Sequence, residues 1–140
     1  MKSFRFMLLV LALFFGGCAK PYVAPTSGDT AQVRFPEKHV GVQFFSNEDC
    51  SNARSLGEQR TVNVSAGATL YVGMTFANMG YSQICTVYFS FLPAVGMSYV
   101  VEYYEPIMGK CAALVDQAAP DGARQGKEPS AKEFKGGIGC

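Results

Sequence analysis

From Ala31 to Asp116 apolar and polar residues alternate with a period of two, the spacing of a strand that buries one face. Val33 and Phe35 alternate with Gln32 and Arg34, Val40, Val42 and Phe44 with Gly41 and Gln43, and Val62 and Val64 with Thr61 and Asn63. Leu70, Val72, Met74 and Phe76 share a face against Tyr71, Gly73 and Thr75. Cys85, Val87, Phe89 and Phe91 oppose Thr86, Tyr88 and Ser90. Tyr99, Val101 and Tyr103 oppose Val100, Glu102 and Tyr104, and Cys111, Ala113 and Val115 make a short seventh run. Gly and Pro punctuate the connectors, as in Ser65-Ala66-Gly67 and Leu92-Pro93-Ala94-Val95-Gly96. No window sustains a 3.6 period, and the segment 46–57 is the one place for an irregular loop or a helical turn. The pattern predicts an all-β domain over 31–116 with Leu70, Val87, Phe89 and Val101 in its core. Its form is a β-sandwich of about seven antiparallel strands, immunoglobulin-like or transthyretin-like, with a small barrel as the alternative.

The flanks have a different texture. Residues 18–30 carry Pro21, Pro25, Ser27 and Gly28 and predict a short tether. Residues 117–140 hold five glycines, two prolines and only Phe134 and Ile138 as bulky apolar side chains, which predicts a flexible tail. At the other end, Lys2 and Arg5 precede ten apolar residues from Phe6 to Phe15, then Gly16 and Gly17. Ten residues of helix span ~15 Å, half a bilayer core, so residues 1–17 predict a secretory signal peptide and not a membrane span.

Composition narrows the partners. Twelve Lys and Arg stand against eleven Asp and Glu, which excludes a nucleic-acid binder held by a basic surface. Removing Lys2 and Arg5 with the signal leaves 10 basic against 11 acidic side chains, a charge of −1. Hydrophobic residues at 49% exclude a disordered chain.

The stretch Phe15-Gly16-Gly17-Cys18 resembles a bacterial lipobox, loose only where Phe15 stands in place of the usual Leu. That resemblance implies that Cys18 is acylated (diacylglyceryl, with palmitate-type chains) and becomes the new N-terminus. Ala19, not aspartate, implies outer-membrane sorting with the domain facing the periplasm. The body's cadence is also similar to that of small bacterial lipoproteins, in Val62-Asn63-Val64-Ser65-Ala66-Gly67 and from Cys85 through Phe91, Pro93, Gly96 and Tyr99. This likeness implies an anchored β-sandwich and brings no activity with it.

Four further cysteines, Cys50, Cys85, Cys111 and Cys140, predict two disulfides in an exported chain, with three connectivities open. If every strand reversed the one before it, Cys50, Cys85 and Cys111 would gather at one pole. Cys85 and Cys111 each open a strand on its inward face, whereas Cys50 and Cys140 lie in loop and tail. Cys85–Cys111 with Cys50–Cys140 is therefore the favoured pairing. It requires the strands of Cys85 and Cys111 to be adjacent or to face each other across the sandwich. Strands two apart in one sheet lie ~10 Å apart, too far to bridge.

No catalytic, metal or cofactor chemistry is legible. His39 is a lone histidine, there is no Cys-x-x-Cys, and the close carboxylates Glu48–Asp49 and Glu102 with Glu105 read as solvated. No phosphate loop, nucleophile elbow or dinucleotide fingerprint occurs. Tyrosines are the one group in excess, and Tyr81, Tyr88 and Tyr104 are the candidates for a binding face. The expected function is a lipid-anchored structural or interaction module that docks another envelope protein. A glycan- or peptide-binding module and a periplasmic inhibitor or immunity-type lipoprotein are the alternatives.

Overall fold

The computed structural model describes residues 19–37, 40–78, 83–107, 110–137 and 140. The strands among them are β1 (Lys20–Pro21), β2 (Thr30–Arg34), β3 (Val40–Phe45), β4 (Arg54–Ser55), β5 (Thr61–Ser65), β6 (Leu70–Asn78), β7 (Gln83–Phe91), β8 (Ser98–Ile107), β9 (Lys110–Ala118), β10 (Arg124–Lys127) and β11 (Lys132–Glu133). They form a six-stranded sheet, β1-β4-β3-β6-β7-β11, and a five-stranded sheet, β10-β9-β8-β2-β5. The seven alternating runs are β2, β3 and β5 to β9. Four short strands join them at the sheet edges, and two pairings, β1 with β4 and β2 with β8, are parallel.

The inward positions of the two sheets meet in one core. Phe35, Phe44, Phe89, Phe91, Met74 and Tyr99 fill it, with Val33, Val42, Val64, Val72, Val101 and Val115 between them. Val87 is buried too, and Leu70 packs partly buried against the cluster. The Tyr99 hydroxyl accepts a hydrogen bond from the Ala94 N–H at 2.9 Å, which satisfies its polar end inside the apolar seam. Burial, then the Glu128 charge against a partial offset from that hydrogen bond, holds the Tyr99 phenol above its ordinary pKa.

The poles of the sandwich follow from register. Leu70 faces Phe91, Phe45 faces Tyr71, and the N–H of Gly67 donates to the Pro93 carbonyl at 2.9 Å. The turns 65–70 and 91–98 therefore sit side by side at one end, the Leu70 pole. Gly96, at φ 73°, makes the second turn in a conformation that L side chains rarely adopt. Cys85 faces Phe76, which faces Val40, so Cys85 belongs to the opposite end, the Cys85 pole.

Three expectations are corrected here. The first concerns the cysteines. Cys50 follows the end of β3 at the Leu70 pole and lies opposite Cys85, because β5 crosses to the second sheet and leaves β3 antiparallel to β6. The predicted gathering of three cysteines does not occur.

The second concerns the segment 18–30. Its described part is not a free tether, since β1 pairs with β4 and the Tyr22 N–H donates to the Ser55 carbonyl at 2.8 Å.

The third concerns residues 117–140. They include the end of β9 as well as β10 and β11, paired with β9 and β7 respectively. Glu128 is buried and anchors this segment. Its N–H donates to the Val115 carbonyl, and its carboxylate accepts from the Gln117 amide at 2.8 Å, the Ser130 hydroxyl at 2.6 Å and the Ser130 N–H at 3.0 Å.

Two predictions follow from this packing. Phe89→Ala removes a fully buried ring and should cost ~3–5 kcal/mol in urea melts. Tyr104→Ala, on the outer face, should shift the midpoint little.

The second prediction concerns pH. Burial alone raises the Glu128 pKa, but the hydrogen bonds from Ser130 and Gln117 outweigh it and hold the carboxyl below its ordinary 4.5. A carboxylate depressed by folding stabilises the fold above its unfolded pKa, and the contribution disappears as pH falls through the folded value. Stability should therefore drop on acidification below ~4.5, and Glu128→Gln should flatten that limb in denaturant melts taken across pH. An acid limb unchanged in Glu128→Gln would assign it to other carboxylates.

Candidate functional site

The four longest strands, β6 to β9, form two hairpins that run past their neighbours towards the Cys85 pole. β3 accompanies β6 only as far as Phe76, and β2 accompanies β8 only as far as Val100. On the other side β11 pairs with β7 at Phe89 and Ser90, and β10 pairs with β9 at 116–118. Beyond those rungs the C-terminal segment still reaches the outer strands, through the Phe134 N–H to the Tyr88 carbonyl, the Glu128 N–H to the Val115 carbonyl and the Ala113 N–H to the Glu133 carboxylate. Past these contacts, among the described residues, no further strand pairs with the hairpins, so open edges remain only nearest the Cys85 pole.

Two contacts hold the hairpins face to face. Cys85 of β7 and Cys111 of β9 are disulfide-bonded across the sheets, with 6.1 Å between α-carbons. Phe76 of β6 stacks on Tyr103 of β8, ring centroids 4.2 Å apart and planes 15° apart. Burial, then the Glu105 carboxylate nearby, raises the Tyr103 phenol above its ordinary pKa. On the outer face of the first hairpin the hydroxyls of Thr75 and Thr86 share a hydrogen bond at 3.1 Å. This braced arm displays Ile84, 75% exposed, and Tyr104, 42% exposed. Ile84 stands on the outer face of the first sheet and Tyr104 on the outer face of the second, so each offers a separate apolar side chain close to an open edge.

The predicted binding tyrosines do not share one face. Tyr104 lies on the outer side of the second sheet and, with Leu114, lines a shallow cleft of about 140 Å³. Tyr81 falls in the segment joining β6 to β7, outside the described residues, as do Cys18 and His39. Tyr88 points outward from the first sheet as its parity predicts, but the C-terminal segment covers it. Phe134 packs on Tyr88 and Tyr71 with centroids 5.9 and 6.0 Å away, and Phe45 flanks Tyr88 at 6.3 Å. Ser90, also outward, is fully buried for the same reason. Alternation shows which way a side chain points, and it says nothing of what arrives later in the chain to lie on it.

The second disulfide, Cys50–Cys140, fastens that covering strap to the 46–53 loop with 5.1 Å between α-carbons. Lys132 pairs with Glu48 at 3.4 Å, and the Gly137 N–H donates to the Glu48 carbonyl at 3.4 Å. Gly136 and Gly137 permit this approach, since a Cβ on either would lie within 2.8 Å of Cys140, Tyr88 or Asp49 atoms. Glu48 and Glu102, read as solvated, are about half exposed and also have cationic partners, Lys132 and Arg124 respectively. Sequence reading missed Glu128, Phe134 and this strap. Phe134, a bulky ring in a glycine-rich segment that carries Cys140, was the available signal.

A second concavity, about 480 Å³, opens at the Leu70 pole between β4 and the 65–70 turn. Tyr22, Phe44, Phe45 and Leu70 give it apolar walls, and Ser46, Asn52, Ser65 and Thr69 give it polar ones. Arg54 is its one charged lining residue and makes no ion pair among the described residues. Among those residues, no three His, Cys, Asp or Glu side chains cluster as a metal site.

No protein family, curated protein or solved structure matches the chain.

The brace has a measurable consequence. Closing the 26-residue loop between Cys85 and Cys111 is worth ~3.5 kcal/mol in the chain-entropy model. The double variant Cys85→Ser/Cys111→Ser should speed amide exchange at 84–88 and 101–107 well before the core amides of Val72 and Val33 respond. Uniform loss of protection would show that the disulfide holds the whole body and not the arm.

Proposed function

We propose that the protein is a lipid-anchored envelope protein, held to the outer membrane through Cys18 and acting without catalysis as an interaction module in the periplasm. The observation that carries this reading is the position of the braced hairpins. β1 runs parallel to β4, and β4 antiparallel to β3, so the chain enters β1 from the Leu70 pole. An anchor at Cys18 holds the body by that end and leaves the arm, with its open edges, Ile84 and Tyr104, at the other. Strand addition to an open edge together with an apolar side-chain anchor is a common mode of protein docking. The partner that fits is another envelope protein offering an extended segment.

The cleft at the Leu70 pole favours a second reading, a glycan- or peptide-binding module in which Arg54 meets a ligand carboxylate and the Tyr22 ring meets its apolar face.

One experiment addresses both the anchor and the arm. Cys18→Ser should leave the precursor unprocessed or release the domain from membranes. Crosslinking in intact envelopes should yield an adduct with the wild-type chain that Ile84→Asp/Tyr104→Ala abolishes and Arg54→Ala retains. Loss of the adduct with Arg54→Ala instead would favour the cleft. Cys18→Ser protein that stays in the membrane fraction at wild-type size would end the lipoprotein reading.

A further inference from the structure

We infer that the Leu70 pole rests on the bilayer itself, with the turn Leu92–Gly96 seated in the lipid interface. The inference rests on acylation of Cys18 and goes beyond it, because an anchor alone does not fix how a body is oriented.

The leash sets the geometry. Lys20 is paired with Arg54, Arg54 with Phe44, and Phe44 with Val72, so Lys20 lies two rungs above Leu70. At 3.3–3.6 Å per extended residue, the two steps from Lys20 to Cys18 reach at most ~7 Å, which is also the rise of two rungs. A lipid on Cys18 therefore enters the membrane no further out than about the level of Leu70. Beyond the glyceryl bridge of the lipid itself there is no slack for the body to stand clear, since the segment expected to be a tether is already paired into the first sheet.

The surface at that level suits the contact. The turns 65–70 and 91–98 contain no charged residue. The second projects Leu92, 47% exposed, and Val95, 60% exposed. Its shape is held by hydrogen bonds that include those from the Gly67 N–H to the Pro93 carbonyl, the Gly96 N–H to the Thr30 carbonyl, the Ala94 N–H to the Tyr99 hydroxyl and the Leu92 N–H to the Ser130 hydroxyl. Exposed Lys20 and Arg54 stand two rungs above Leu70 at the far edge of the first sheet, across β3 and β6 from this turn. Asp29, Glu48, Asp49 and Asp121, the last in the turn from β9 to β10, lie at the same pole, with Lys132 on Glu48, so basic residues are not in excess there. Seating therefore depends on the apolar tips rather than on attraction to anionic lipid. The arm then points away from the membrane, into the periplasm.

The sequence contains no tryptophan, so a single substitution gives a unique fluorescent reporter. Full-length protein carrying Val95→Trp, or Leu92→Trp as a second reporter, is processed in cells and reconstituted into phosphatidylcholine/phosphatidylglycerol vesicles. Ile84→Trp reports from the opposite pole. With acyl chains brominated near the interface, emission from Val95→Trp and Leu92→Trp should be quenched about twofold or more, while Ile84→Trp is unaffected. Quenching as weak at the turn as at Ile84, in protein that floats with the vesicles, would overturn the seating and leave the anchor standing. Protein that does not float with the vesicles would show that the anchor itself is wrong, and the seating falls with it.

Discussion

Phe35, Phe44, Met74, Phe89, Phe91 and Tyr99 occupy the space between two sheets, and none leaves a polar atom there without a partner. Every other feature depends on this seam. A strand that alternates with period two has one apolar face, and neither sheet could keep its long hairpin flat without the other to cover it. The seam also explains why Cys85 and Cys111 meet. They are inward residues on facing strands, so the packing that buries Phe89 and Val115 brings the two sulfurs together across the gap.

Sheet edges are the corresponding liability, and the chain manages them locally. Three of the edge-region strands, β1, β4 and β11, are only two residues long. On β5 the Asn63 carbonyl is capped by the Tyr22 hydroxyl at 3.0 Å, and on β9 the Ala113 N–H is capped by the Glu133 carboxylate at 3.4 Å. Among the described residues the edges left open lie along the parts of the two long hairpins nearest the Cys85 pole, beyond the last rungs of β2 and β3 and beyond the bonds at Tyr88 and Ala113. Contrast between guarded and open edges within one molecule is what makes the arm a candidate for docking.

Much of the fold was legible because burial on one face leaves a period-two trace that survives in Val72-Gly73-Met74 or Val87-Tyr88-Phe89. The disulfide pairing was legible for a related reason, since inward and loop cysteines sort by environment. Strand direction was not legible, because nothing in Arg54-Ser55 or Thr61–Ser65 tells which sheet the chain has entered, and the pole assigned to Cys50 was wrong for that reason. The strap was missed because its hold comes from few residues. Glu128, Phe134 and Cys140 each act through a partner 11 to 90 positions away, while the glycines between them imitate a disordered segment. The cover over Tyr88 was not legible on the same account.

The Cys50–Cys140 bond also changes what cutting this chain can do. It turns the sequence from 50 to 140 into a covalent ring, with Cys85–Cys111 as a chord inside it. A protease that severs one peptide bond within that ring opens it without parting it, because both fragments stay joined through sulfur. For a cut between residues 85 and 111, a span that takes in most of β7 and all of β8, the fragments stay linked through two bonds and not one. In an oxidising compartment the exposed hairpins can thus be nicked without being lost, and release of a piece takes a second cut.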